Sequence, residues 1–99
     1  MAITPDDAKS CNLLGIMIGE PVGGLVDAER ERRENIAIAL FVRATALDPK
    51  NADVWFNLAS TRAAQKTPDL QAAKEAYKRA VELGVQRDAA MEKEIQWKP

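Results

Sequence analysis

A chain of 99 residues, 46% hydrophobic and 29% charged, fits one soluble globular domain and is too short for two. Fourteen basic against fifteen acidic side chains leave a formal net charge of −1, so the positive field that draws proteins to nucleic acid is missing. There is no histidine, and Cys11 is the one thiol; this excludes histidine acid/base catalysis, Cys/His zinc sites and an intrachain disulfide, so no cofactor, no metal and no enzyme activity are expected.

Thr4-Pro5-Asp6-Asp7 predicts a helix start, because the Thr hydroxyl can accept a backbone N–H bond, Pro fits the first turn, and the carboxylates face the positive dipole end. The first helix runs to about Ile18, with Gly19 in the left-handed closing conformation. The run Leu13 to Ile18 is apolar apart from Gly15 but far shorter than the roughly 20 residues of a membrane span. Asp6 and Asp7 before it and Gly19-Glu20-Pro21 after it do not make a signal peptide. No membrane partner and a cytoplasmic location are therefore expected, in agreement with the single thiol. Glu20-Pro21-Val22-Gly23-Gly24 reads as a loop; lacking a following Lys-Ser/Thr, it is a turn and not a phosphate site.

Asp27 is the expected cap of a long second helix ending near Leu47-Asp48-Pro49, with Ile36, Ala37, Leu40, Phe41, Ala44 and Leu47 on its buried face. Its segment Glu29-Arg30-Glu31-Arg32-Arg33-Glu34 mixes signs, pairs Glu29 with Arg33 across one turn, and reads as a solvated extension. Asn51 caps a third helix in which Trp55, Leu58, Ala59 and Ala63 share a face, broken by Gln65-Lys66-Thr67. Thr67-Pro68-Asp69 repeats the first start signal. The fourth helix buries Leu70, Ala73, Tyr77, Ala80 and Val81 and is closed by Gly84; Asp88 to about Trp97 forms a last, more polar helix. No segment alternates as a half-buried strand does, so the fold class is all-α.

The chain matches itself. Ala37, Phe41, Ala44 and Asp48 correspond to Ala73, Tyr77, Ala80 and Gly84 at an offset of 36: small, aromatic, small, helix end. Upstream anchors precede both sets, Cys11-x-x-Leu14-Gly15-x-x-Ile18 and Trp55-x-x-Leu58-Ala59. Small residues let helices approach closely, and the aromatic fills the gap between helix pairs.

The stretch Ala37-x-x-x-Phe41-x-x-Ala44-x-x-x-x-Pro49-x-x-x-x-x-Trp55-x-x-Leu58-Ala59 resembles the tetratricopeptide repeat, a helix-turn-helix unit of 34 residues. The resemblance covers about residues 5–84 and implies stacked helical hairpins: repeat one over about 5–49 with a long inter-helix insertion, repeat two over about 51–84, and a capping helix over about 88–97. Arg62 replaces the family's Tyr, and Val85 stands where the exit Pro belongs. A four- or five-helix bundle of similar periodicity, without a superhelical groove, is the alternative. Cys11 stands where the family has a large anchor and reads as a buried small hydrophobe.

In such repeats the first helix of each pair lines the concave surface that receives peptides. On the third helix that side carries Asp53, Phe56, Asn57, Ser60 and Ala64. Lys9, Asn12 and Ile16 face it from the first helix, and Ala89, Lys93 and Gln96 from the last. Phe56 beside Asn57 reads as an exposed aromatic that grips a peptide through apolar contact while the amide bonds its backbone; packing of Phe56 against the first or last helix is the alternative. Some family members clamp a partner's C-terminal carboxylates with Lys and Asn. Asn57 and Lys93 fall at such positions, but Asn12, Ile16 and Ala89 depart from them, so that clamp is not expected.

Arrays of this kind usually need about three repeats and polar caps, and this chain offers two. Leu13, Ile16, Met17 and Ile18, with Val22, Leu25 and Val26, exceed what one short helix covers, so a homo-oligomer or hetero-complex is expected. The leading reading is a non-catalytic adaptor or assembly module that binds a protein or peptide. A structural subunit using its repeats for self-association is the alternative. An enzyme built on Asp6/Asp7 or Glu29/Glu31 lacks a cleft, since these pairs fall at a helix end or on a solvated face.

Overall fold

The computed structural model describes residues 7–20 and 23–97. Helices α1 (Ala8–Gly19), α2 (Asp27–Leu47), α3 (Ala52–Ala64), α4 (Leu70–Glu82) and α5 (Ala89–Glu94) follow in order, with no strand among the described residues. The fold is all-α, as the periodicity predicts. No helix among these residues is long and apolar enough to cross a membrane.

Helix starts are set by short polar side chains. Asp7 accepts from the Ser10 N–H at 2.8 Å, Asn51 from Asp53 at 3.1 Å, and Asp69 and Asp88 from Ala72 and Met91, each at 3.0 Å. Thr4 lies outside the described residues; in the matching Thr67-Pro68-Asp69 the carboxylate is the cap. Asp27 corrects the prediction, for it is the first helical residue of α2, and the N-cap Val26 offers no side-chain bond. Its carboxylate instead faces Arg30 at 3.6 Å and Lys66 at 3.4 Å.

Helix ends show one further correction. Gly19 stays helical and closes nothing; the left-handed conformation belongs to Gly24, with φ of 83°, in the turn that follows. Gly84 does close α4, with φ of 114°, the Val85 N–H donating to the Ala80 carbonyl and the Gly84 N–H to that of Val81, each at 3.0 Å. Helix α5 stops at Glu94, short of Trp97, because Gln96 turns left-handed at φ of 58° and the Trp97 N–H donates back to the Glu92 carbonyl at 2.8 Å.

Helices α1 and α2 pack as one pair and α3 and α4 as a second, joined through α2 against α3. The thinnest dimension of the molecule, 18 Å, is two helix layers at the usual spacing of about 8–10 Å. Phe41 and Tyr77 are both buried, with buried Ala37 and Ala44 on the helix of the first and Ala73 and Ala80 on that of the second. Cys11 is buried, as expected of a small core residue. Gly15 has a specific packing role: a Cβ built on it would lie 2.6 Å from Phe41 Cε1, so the ring rests on bare α1 backbone.

The buried face of α2 is narrower than predicted. Ile36 and Leu47 are exposed, lying more than about 100° around the helix from Phe41, and Leu40 is half-buried. Thr45 is buried instead; its hydroxyl donates to the Val42 carbonyl at 2.8 Å, so its polarity is satisfied within the helix. In α3, Val54 is buried more deeply than Trp55, whose indole N–H donates to the Pro49 carbonyl at 2.9 Å and ties down the α2–α3 turn.

Candidate functional site

The face shared by α1 and α3 carries most of the residues singled out from the sequence. Lys9, Asn12 and Ile16 succeed one another along α1, and Asp53, Asn57 and Ser60 along α3, at steps of three and four that bring them to one side of each helix. The structure joins the two rows directly, since Asn57 Nδ2 donates to Asn12 Oδ1 at 3.0 Å in a part-buried setting. A carboxamide carries one acceptor oxygen and two donor hydrogens. The Asn12–Asn57 bond therefore leaves Asn57 Oδ1 as an acceptor and, as donors, both N–H of the Asn12 amide and one of Asn57, with no further partner among the described residues.

Beside this pair lies a shallow groove of about 220 Å³, walled by Gly15, Ile16 and Gly19 of α1 and by Asn57, Ser60 and Thr61 of α3, with Phe41 also lining it. Gly15 and Gly19, one turn apart, present no side chain, which opens the α1 wall and lets Phe41 form part of the lining. Thr61 bonds its hydroxyl to the Asn57 carbonyl at 2.9 Å. Neither glycine nor Thr61 was singled out as a wall residue; the four-residue spacing of the glycines is the sequence signal that could have found it.

Phe56 corrects the expectation of an exposed aromatic. It is half-buried against the core, its ring 6.4 Å from that of Tyr77 at 52°. Lys9, Asp53 and Ser60 are exposed; Lys93 and Ala89 on α5 and Gln96 after it are exposed but do not line the groove. Ala64 lies further along α3 and lines a second groove of about 410 Å³.

Helix α5 covers the far end of the second pair. Met91 and Ile95 are buried, and Trp97 meets Tyr77 edge-on at 5.2 Å and 77°. The Tyr77 hydroxyl donates to Glu92 and accepts from the Asp88 N–H at 2.9 Å, while Arg87 holds the same carboxylate through Nε at 2.9 Å and Nη2 at 2.7 Å. Bonds from Arg87 first and Tyr77 second hold the Glu92 carboxyl down at about 2, and burial pushes the Tyr77 hydroxyl up. This network is a fastening for α5, not a catalytic group, because every member is occupied by another.

The segment Glu29-Arg30-Glu31-Arg32 is exposed, as expected of a solvated extension, but the expected pair of Glu29 with Arg33 is not formed. Arg33 is half-buried, its Nε is sealed from solvent without a partner, and neither Glu29 nor any other described residue pairs with it. No group of three or more metal-ligating side chains occurs among the described residues.

Comparison with known families matches residues 40–75 to the tetratricopeptide repeat. The match runs from the last part of α2 through α3 into α4, across the junction that carries the sequence resemblance. No curated protein and no solved structure matches the chain.

Proposed function

We propose, from the premise that residues 40–75 are a tetratricopeptide repeat, that this chain is a non-catalytic adaptor which holds an extended polypeptide in the groove between α1 and α3. Tetratricopeptide repeats generally mediate protein–protein interaction and are generally not catalytic. The finer reading takes residues 5–49 and 51–84 as two repeats and α5 as their cap, working in the cytoplasm.

The observation that carries it is the Asn12–Asn57 pair. The Asn57 Oδ1 acceptor and the remaining N–H donors of the two amides, fixed by their mutual bond, match the alternating groups of a peptide backbone, and the bare Gly15–Gly19 flank lets that backbone come close. Ile16 supplies apolar contact, and Lys9 and Asp53 stand farther along the same two rows.

The test is partner capture from native extract by the unaltered chain and by Asn57→Ala and Ser60→Arg variants. Loss of partner in both variants, with helical circular dichroism unchanged, is the expected result; full capture by Ser60→Arg overturns the reading. Self-association is the second reading, favoured by the α1 surface. Leu14 is 36% exposed where the corresponding Leu58 is 5% exposed, and Leu13 and Met17 are exposed beside it. Sedimentation of Met17→Lys separates the two, since only an assembly built on α1 dissociates.

A further inference from the structure

The second groove, of about 410 Å³, adjoins the first: Gly19 and Glu20 line both. Its walls include Ile18 and Leu25, and Arg33 enters it from α2. Arg33 is half-buried, its Nε has no exposed surface and no hydrogen bond, and the guanidinium has no ion pair among the described residues. A buried N–H without a partner goes uncompensated, and here that N–H belongs to a charged side chain with no counter-charge among the described residues. Glu20 and Glu34 line the same groove yet leave Arg33 unpaired, while Arg30 faces Asp27.

We propose that Arg33 is the counter-charge for a single glutamate side chain of the polypeptide held between α1 and α3. The proposal rests on that groove reading and extends it. A carboxylate meets the terminal guanidinium nitrogens in the two-bond geometry that arginine presents. The long side chain of glutamate reaches the half-buried Arg33 in the groove wall while its backbone stays at the rim, and a neighbouring apolar residue lies on Ile18 and Leu25. One negative charge fits and a run of them does not, since Glu20 and Glu34 repel the rest. The partner passes through and does not end here, because this groove opens into a third that shares Arg30, Glu34 and Ala64 and leads on to Thr67. Asn57 to Ala64 is roughly 10 Å along α3, covered by about three extended residues, so one short peptide touches both places.

The probe is the peptide Ac-Ala-Leu-Ala-Ala-Glu-Leu-Ala-NH2, titrated into 15N-labelled full chain while the Arg33 Nε–H and Asn57 side-chain amide signals are followed. Its Gln counterpart and a Gln peptide with a free C-terminal carboxylate are the comparisons. The Arg33 signal is expected to move with the Glu peptide, and the Gln peptide to bind at least about tenfold more weakly, about 1.4 kcal/mol. An Arg33→Gln chain should bind both amidated peptides alike. Equal affinity of the Glu and Gln peptides for the unaltered chain overturns the proposal, as does movement of Arg33 by the terminal carboxylate alone or no movement with the Glu peptide. Equal shifts at Asn57 from both amidated peptides, with Arg33 unmoved, overturn it while leaving the α1–α3 groove reading in place.

Discussion

Replacing Gly15 with Ala isolates the contact that sets the spacing of the first helix pair. Glycine within a helix costs about 1 kcal/mol relative to alanine, so propensity alone makes Gly15→Ala stabilising by that amount. The new Cβ, however, would lie 2.6 Å from Phe41 Cε1 and 2.9 Å from Cδ1 and Cζ, against an ordinary carbon contact of about 3.5–4.0 Å. The ring must retreat by roughly 1 Å, and being 2% exposed it has packed neighbours behind it. Overpacking of this kind costs about 1–3 kcal/mol, so the clash offsets the propensity gain and leaves a net loss of up to about 2 kcal/mol. Gly19→Ala is the internal control, since its Cβ would meet only Ala37 Cβ at 3.2 Å. Urea unfolding followed by circular dichroism should give a lower midpoint with unchanged slope for Gly15→Ala and an equal or higher midpoint for Gly19→Ala. Adding Phe41→Leu to Gly15→Ala should recover part of the loss. If Gly15→Ala proves as stable as Gly19→Ala, the close-approach argument is wrong.

The α5 fastening gives both limbs of a pH profile. Glu92 is held at about 2 against an ordinary 4.5, so its contribution is complete above about pH 4.5 and fades as pH falls toward 2; Glu92→Gln should flatten that acid limb in pH-dependent urea midpoints. Tyr77, raised above its ordinary 10.0, contributes below that pH and loses its contribution as the medium becomes more alkaline, a decline that Tyr77→Phe should abolish. At neutral pH the same Tyr77→Phe change removes a donor to Glu92 and an acceptor for the Asp88 N–H, costing about 1–3 kcal/mol, with faster hydrogen exchange in α5 as the readout. Asp69→Ala should lower stability by about 1 kcal/mol through the lost cap on Ala72, measured as a urea midpoint shift.

What the sequence made legible is what local chemistry decides. Asn51 caps, and Gly84 closes, because each acts within one turn of its own helix. The offset of 36 pointed to Phe41 and Tyr77 for a similar reason, and both are buried. Asp27 is not the cap because α2 already begins at it, and its exposed carboxylate faces Arg30 and the distant Lys66. Periodicity gave the direction of the α2 face but not its width; the neighbouring helices leave Ile36 and Leu47 outside, and the Val42 carbonyl lets Thr45 inside. At the site, helical spacing brought Asn12 and Asn57 to the inner faces, but their bond joins residues 45 apart in sequence and depends on how the pairs stack. The local charge pattern offered Glu29 to Arg33, whereas in the fold Arg33 is half-buried and lines a groove with Ile18 and Leu25.

The claim that a polypeptide lies between α1 and α3 is tested most directly by photo-crosslinking in native extract. A benzoylphenylalanine placed at Ser60 is compared with one placed at Lys78, on the exposed side of α4. Crosslinking to a partner polypeptide from position 60, with only background from position 78, is expected. Equal yields at both positions, or crosslinks from position 78 alone, would contradict the account.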